Sequence, residues 1–149
     1  IFINTNINNI RGIMVENFGS VFYLVIFLIN LAGLGYYTYI TYLNPKQLIS
    51  DYQLGDDSIA LVRIVGSFVL PYFIIGIIIL FQGVEGTWIY FVSGLLISSF
   101  QLLYDLGTRM KIFDTNYKVI NKNSDTIIAV VFIIINIILI SGLSDKIYL

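Results

Sequence analysis

Four long apolar stretches, separated by short polar ones, make up most of the chain. The first runs without a charge from Asn17 to Pro45, with its core at Val21–Tyr39. The second extends from Ile59 to Phe81 and carries one charge, Arg63, near its start. The third is Thr87–Tyr104 and the fourth Thr126–Ser144. Crossing the hydrocarbon of a bilayer takes about 20 mostly apolar helical residues, and each stretch meets that requirement. None alternates apolar and polar positions as a lipid-facing barrel strand does. Helices also satisfy their own backbone groups, which lipid cannot do. The pattern predicts an all-α integral membrane fold. It is a single transmembrane domain over 1–149, a four-transmembrane-helix bundle with helices near 18–43, 59–81, 87–104 and 126–144.

The connections add detail. Gln82-Gly83-Val84-Glu85-Gly86 is a tight turn that makes the second and third helices an antiparallel hairpin. Asn44 and Pro45 read as an N-cap and a first helical residue, predicting a short helix to Gln53 that Gly55 ends. Asp57 or Ser58 then caps the second span. After the third span, Leu106, Met110, Phe113, Tyr117 and Ile120 recur at helical spacing, with Lys111, Lys118 and Lys122 opposite. That spacing predicts a short interfacial helix between helices 3 and 4, with lysine stems that snorkel. Asn123-Ser124-Asp125 ends it and caps the fourth span.

Composition agrees with a lipid solvent. Hydrophobic residues make up 58% of the 149 and charged residues 11%, against roughly a quarter charged in a soluble domain, and the mean hydropathy is +0.89. The net charge of −1 argues against a nucleic-acid partner. Cysteine and histidine are both absent. Thiolate metal sites, thiol nucleophiles, the usual haem and copper ligands and the commonest general base are thereby excluded. The expectation is no cofactor, no metal and no catalysis by the isolated chain. Residues 1–16 show no signal-peptide pattern, and Ile1 in place of Met suggests a processed or incomplete start. Lys46, Arg63, Arg109, Lys111, Lys118 and Lys122 fall on one side of the bundle, Arg11 and Lys146 on the other. The positive-inside rule makes the first side cytoplasmic and puts both termini on the non-cytoplasmic side, in a multi-pass protein of the plasma (inner) membrane.

Five residues stand out as intramembrane features. Pro71 lies within the second span and leaves the Ser67 carbonyl without a donor, so a kink near Gly66 and Ser67 is expected. The freed carbonyl offers a ligand site, or is packing geometry that neighbours re-satisfy. Asn30 and Asn136 lie near the middles of the first and fourth spans. They form either a polar site or interhelical hydrogen bonds worth about 0.6–2 kcal/mol. Arg63 and Asp105 fall at one depth on the expected hairpin, which predicts an ion pair between them; Arg109 competes for Asp105 at i+4. Tyr36, Tyr37, Tyr39, Tyr42 and Tyr104 form a headgroup-level belt or line a quinone or headgroup pocket, with Trp88 and Tyr90 as the opposite belt. Gly33 with Gly35, and Gly94 with Ser98, offer surfaces for close helix approach, to a neighbour in the chain or in another subunit. Asp51, Asp56 and Asp57 read as capping and solvated residues.

Several of these features resemble the DoxX-like group of small four-helix membrane proteins. They are Pro45 after the first helix, Arg63-Ile64-Val65-Gly66 opening the second with Gly76 further on, and the short hairpin. Gly107-Thr108-Arg109 near the end of the third helix, followed by Asp114, completes the set. In that group Gly and Arg are adjacent and a Gly follows the Asp, whereas Thr108 and Thr115 stand at those places here. The group includes subunits of quinone-linked membrane oxidoreductases, so the resemblance implies an accessory place beside redox machinery. Function is therefore expected to be that of a non-catalytic accessory or scaffold subunit, with the lipid bilayer and other membrane subunits as partners. The alternative is a small lipid- or quinone-binding carrier acting alone.

Overall fold

The computed structural model describes residues 14–116 and 119–149. Helix α1 spans Val21–Thr38 and passes directly into a π-helical turn at Tyr39–Leu43. Helix α2 is Pro45–Asp51, and a 3-10 turn at Asp56–Ser58 leads into α3, Ile59–Gln82. Helices α4 and α5 are Trp88–Arg109 and Asn123–Gly142, and a short α6 covers Ser144–Ile147. No described residue is in a strand. Four stretches are long and apolar enough to cross a membrane: Val21–Leu43, Asp56–Gln82, Trp88–Arg109 and Asn123–Gly142. They correspond to the four read from the sequence.

Local chemistry explains most boundaries. Ser20 caps α1 by accepting a 3.3 Å bond from the Tyr23 amide, satisfying one orphan donor of the first turn. Asn44 is the N-cap of α2 with Pro45 at its start, as the sequence predicted. Ser58 takes the N-cap place of α3, though its side chain makes no capping bond. Gly83 and Gly86 turn the α3–α4 connection at φ of 104° and 68°, values that an L side chain rarely adopts.

Two helices end differently from expectation, and by one device. At the end of α4, Lys111 adopts φ 56°. Its amide donates to Thr108 O at 3.1 Å while that of Ile112 reaches Gly107 O at 2.8 Å. This is a Schellman stop with lysine where glycine is usual. Phe113 then folds back on Gly107, leaving no room for a Cβ there. The helix expected over 106–121 is therefore not formed: 106–109 complete α4, and described residues 110–116 and 119–122 are turn and irregular chain. Tyr117 and Lys118, which would have completed its two faces, lie outside the described residues. Helix α2 stops in the same way. Gln53 has φ 53°, and Leu54 N donates to Ile49 O at 2.9 Å, so Gln53 ends it before Gly55.

Consecutive long helices pair along the chain with one exception, the second and third. Helix α4 lies chiefly along α5, α3 lies along α1 and its π turn, and α1 also packs on α5. The α3–α4 hairpin shares little backbone contact despite its short turn. Its two helices meet through Tyr72 and Tyr90, whose rings stack at 4.4 Å. The small residues serve these internal contacts. A Cβ on Gly33 would strike Phe132, one on Gly35 Phe73, and one on Gly94 both Tyr72 and Asn136. Buried apolar side chains concentrate toward the end of the bundle that carries the Glu85 turn and α6. Phe18, Phe27, Val84, Phe91, Leu139, Leu143 and Ile147 are there at no more than 1% exposure. The opposite, basic end is held by polar side chains.

Candidate functional site

The basic end is organised around Arg109. Its Nε donates to Asp105 Oδ2 at 3.1 Å, its Nη1 to Asn123 Oδ1 at 2.8 Å and its Nη2 to Lys122 O at 2.7 Å. Asp105 is 8% exposed and also accepts from the Thr126 hydroxyl. Thr108 donates to Asn121 Oδ1 at 3.0 Å. One turn of α4 thus gathers the return loop and the first turn of α5. A second tie joins α2 to the same place. The Tyr52 hydroxyl donates to Asp125 Oδ2 at 2.7 Å, and Lys122 sits 4.6 Å from the Tyr52 ring centre and 3.9 Å from Asp51. Burial, then the hydrogen bond to the Asp125 carboxylate, raises the Tyr52 phenol above its ordinary value.

The expected Arg63–Asp105 pair is not formed. Because α4 turns its Asp105 face to α5, the carboxylate is taken by Arg109 and Thr126, and the i+4 competitor prevails. Arg63 is instead exposed on α3. It lines a groove of about 360 Å³ with Tyr42, Ile64 and Ser67. The groove flanks a backbone seam, for a Cβ on Gly66 would lie 2.9 Å from Tyr42 N and 3.0 Å from Thr41 C. The π turn of α1 shapes that seam: Asn44 N donates five residues back to Tyr39 O at 2.8 Å, and the wider turn sets Tyr42 against α3. Pro71 is accommodated inside an unbroken α3. Its missing N–H leaves the Ser67 carbonyl without a helical donor, while the Ser67 hydroxyl donates to Ile64 O at 2.7 Å.

The two mid-helix amides remain apart in role. Asn30 is buried on α1 at 7% exposure and Asn136 on α5 at 1%. Asn136 Nδ2 donates to Phe132 O of its own helix at 2.8 Å, not across to another helix as expected. Its Oδ1 faces Gly94 of α4 and has no partner among the described residues. The tyrosines at the basic end, Tyr36, Tyr37, Tyr39 and Tyr42, are all at least 39% exposed, whereas Tyr90 is 6% exposed and belongs to the core. At the other end Trp88 stacks on Tyr148 at 6.2 Å.

The sequence pointed to Asp105 and Arg109 but not to their partners Asn123 and Thr126, nor to the Thr108–Asn121 and Tyr52–Asp125 bonds beside them. The one signal in the sequence was the i,i+4 spacing of Asp105 and Arg109. Comparison with protein-family models, with curated proteins and with solved structures finds no match to this chain.

Proposed function

We propose that the chain is a multi-pass protein of the plasma (inner) membrane that serves as a non-catalytic accessory or scaffold subunit of a larger membrane complex. The observation that carries this reading is how its side chains are used. The polar groups around Arg109 and Tyr52 bond to one another and fix α2, α4, α5 and the return loop. The apolar surface, by contrast, is largely left over: only 17–28% of the most apolar window of each span is buried within the chain. Phe22, Phe68, Phe81 and Phe100 are between 57% and 77% exposed. Such a surface needs lipid or protein against it. The resemblance to the DoxX-like group adds a place beside quinone-linked machinery. In this reading Lys46, Arg63 and Arg109 face the cytoplasm, both termini lie outside, and Leu106 at the end of α4 and Met110 and Phe113 in the turn after it lie at interfacial depth.

Gentle detergent extraction followed by native electrophoresis tests the role, with recovery in a defined larger assembly as the expected result. Quantitative recovery of a lone chain carrying lipid or quinone would refute it and favour a carrier. Topology is tested by cysteine labelling, which is clean because the native chain has no cysteine. Glu85→Cys should react only from outside; labelling from the cytoplasm alone would invert the assignment.

A further inference from the structure

The geometry points to a phospholipid headgroup site in the groove between the π turn of α1 and the first turns of α3, with Arg63 binding the lipid phosphate. The inference rests on the membrane-spanning part of the reading above and not on the accessory role. Arg63 lies four residues after Ile59, so it sits about 6 Å along α3 from the helix start at 1.5 Å per residue. The exposed tyrosines at the end of α1 belong to the same level, the depth at which aromatic belts and lipid headgroups meet. An exposed arginine there carries a full charge and five donors in a planar fork that matches a phosphodiester in bidentate fashion. Asp105, the carboxylate expected to neutralise it, is committed to Arg109 and Thr126. No described side chain forms an ion pair with Arg63 in its place.

The rest of the groove suits a headgroup. Tyr42 and Ser67 line the groove with Arg63, so the lining includes a phenol and a second hydroxyl-bearing residue beside the guanidinium. Below this, Ile64 and Phe68 are 54% and 77% exposed. They continue with Pro71 and Ile75 along one face of α3, which gives acyl chains an apolar track beneath the phosphate. Charge complementarity at the top and a continuous apolar strip below are the two ends of one amphipathic ligand. A free anion would use only the first.

The test is native mass spectrometry of the detergent-purified chain titrated with dioleoyl phosphatidylglycerol. One bound lipid per chain is expected, with affinity falling about tenfold in Arg63→Gln and largely restored in Arg63→Lys. Tyr42→Phe should produce a smaller loss, and Lys46→Gln, a charge removed nearby but outside the groove, should produce none. Equal binding by the wild type and Arg63→Gln, or an equal loss in Lys46→Gln, would overturn the site. Displacement of the lipid by equimolar inorganic phosphate would show a free-anion site and overturn the lipid assignment. Capture of an acidic membrane protein by Arg63 in place of lipid in native membranes would overturn it as well. Extraction of the same variants with alkaline carbonate separates the two readings. A chain washed off the membrane refutes the spanning reading itself. An embedded chain whose lipid binding ignores Arg63 refutes only the site.

Discussion

Replacing Arg109 with glutamine should be among the most destabilising polar changes in this protein. The substitution removes the guanidinium that bonds Asp105, Asn123 and the Lys122 carbonyl, and it leaves the Asp105 carboxylate, 8% exposed, with Thr126 alone. Each hydrogen bond to a charged group is worth about 1.5–3 kcal/mol, and stranding one partner of a fully buried ion pair costs about 3–5 kcal/mol. The Arg109 side chain is 28% exposed and that of Asp105 10%. Water therefore recovers part of the loss, and a cost of about 2–3 kcal/mol follows. The assay is unfolding in detergent followed by circular dichroism, run as two double-mutant cycles. Arg109→Gln with Asp105→Asn should show a coupling of about 1–2 kcal/mol, as expected for residues in contact. Arg63→Gln with Asp105→Asn should be additive to within about 0.5 kcal/mol. Additivity in the first cycle, or coupling in the second, would refute the packing of α4 on α5 as the origin of the network.

Three further outcomes are expected. Gly66→Ala should cost about 1–3 kcal/mol because its Cβ meets the backbone of Tyr42 and Thr41, which cannot rotate away; Gly35→Ala, facing the movable Phe73 ring, should cost less in the same thermal scan. Asn136→Leu should change stability by under about 1 kcal/mol in either direction, since an unpartnered buried oxygen goes with the one bond lost; a large destabilisation would mean that Oδ1 holds a water or ligand. Tyr52 has a folded-state pKa raised above the ordinary phenol value of 10.0. Its contribution is therefore complete below that pH and declines as pH rises beyond it. Wild-type stability should fall faster than that of Tyr52→Phe above pH 10, and parallel curves would contradict the Tyr52–Asp125 tie.

The number, length and type of the long helices were legible in the sequence because a span needs only a run of apolar residues. That requirement is local, and Asn44 and Pro45 mark the start of α2 locally too. The ends of α2 and α4 were not legible. Gln53 and Lys111 adopt left-handed conformations that neither residue type advertises, and at Lys111 the stop is reinforced by Phe113 closing on Gly107. The apolar spacing from Leu106 to Ile120 was real in the sequence but did not decide the backbone. Helix pairing was hidden for a related reason. In helices as uniformly apolar as α1, α3 and α5, no stripe singles out a neighbour, so proximity along the chain suggested a closer α3–α4 pairing than the Tyr72–Tyr90 contact provides. Tertiary packing of Gly33 on Phe132, Gly66 on the π turn and Gly94 on Asn136 chose the partners instead. That choice gave Asp105 to Arg109, left Arg63 facing outward, and placed the groove beside it. The sequence determined that the chain forms four long apolar helices with one basic end. Only the tertiary structure decided which charges are satisfied there, because pairing depends on how each helix is rotated against its neighbours.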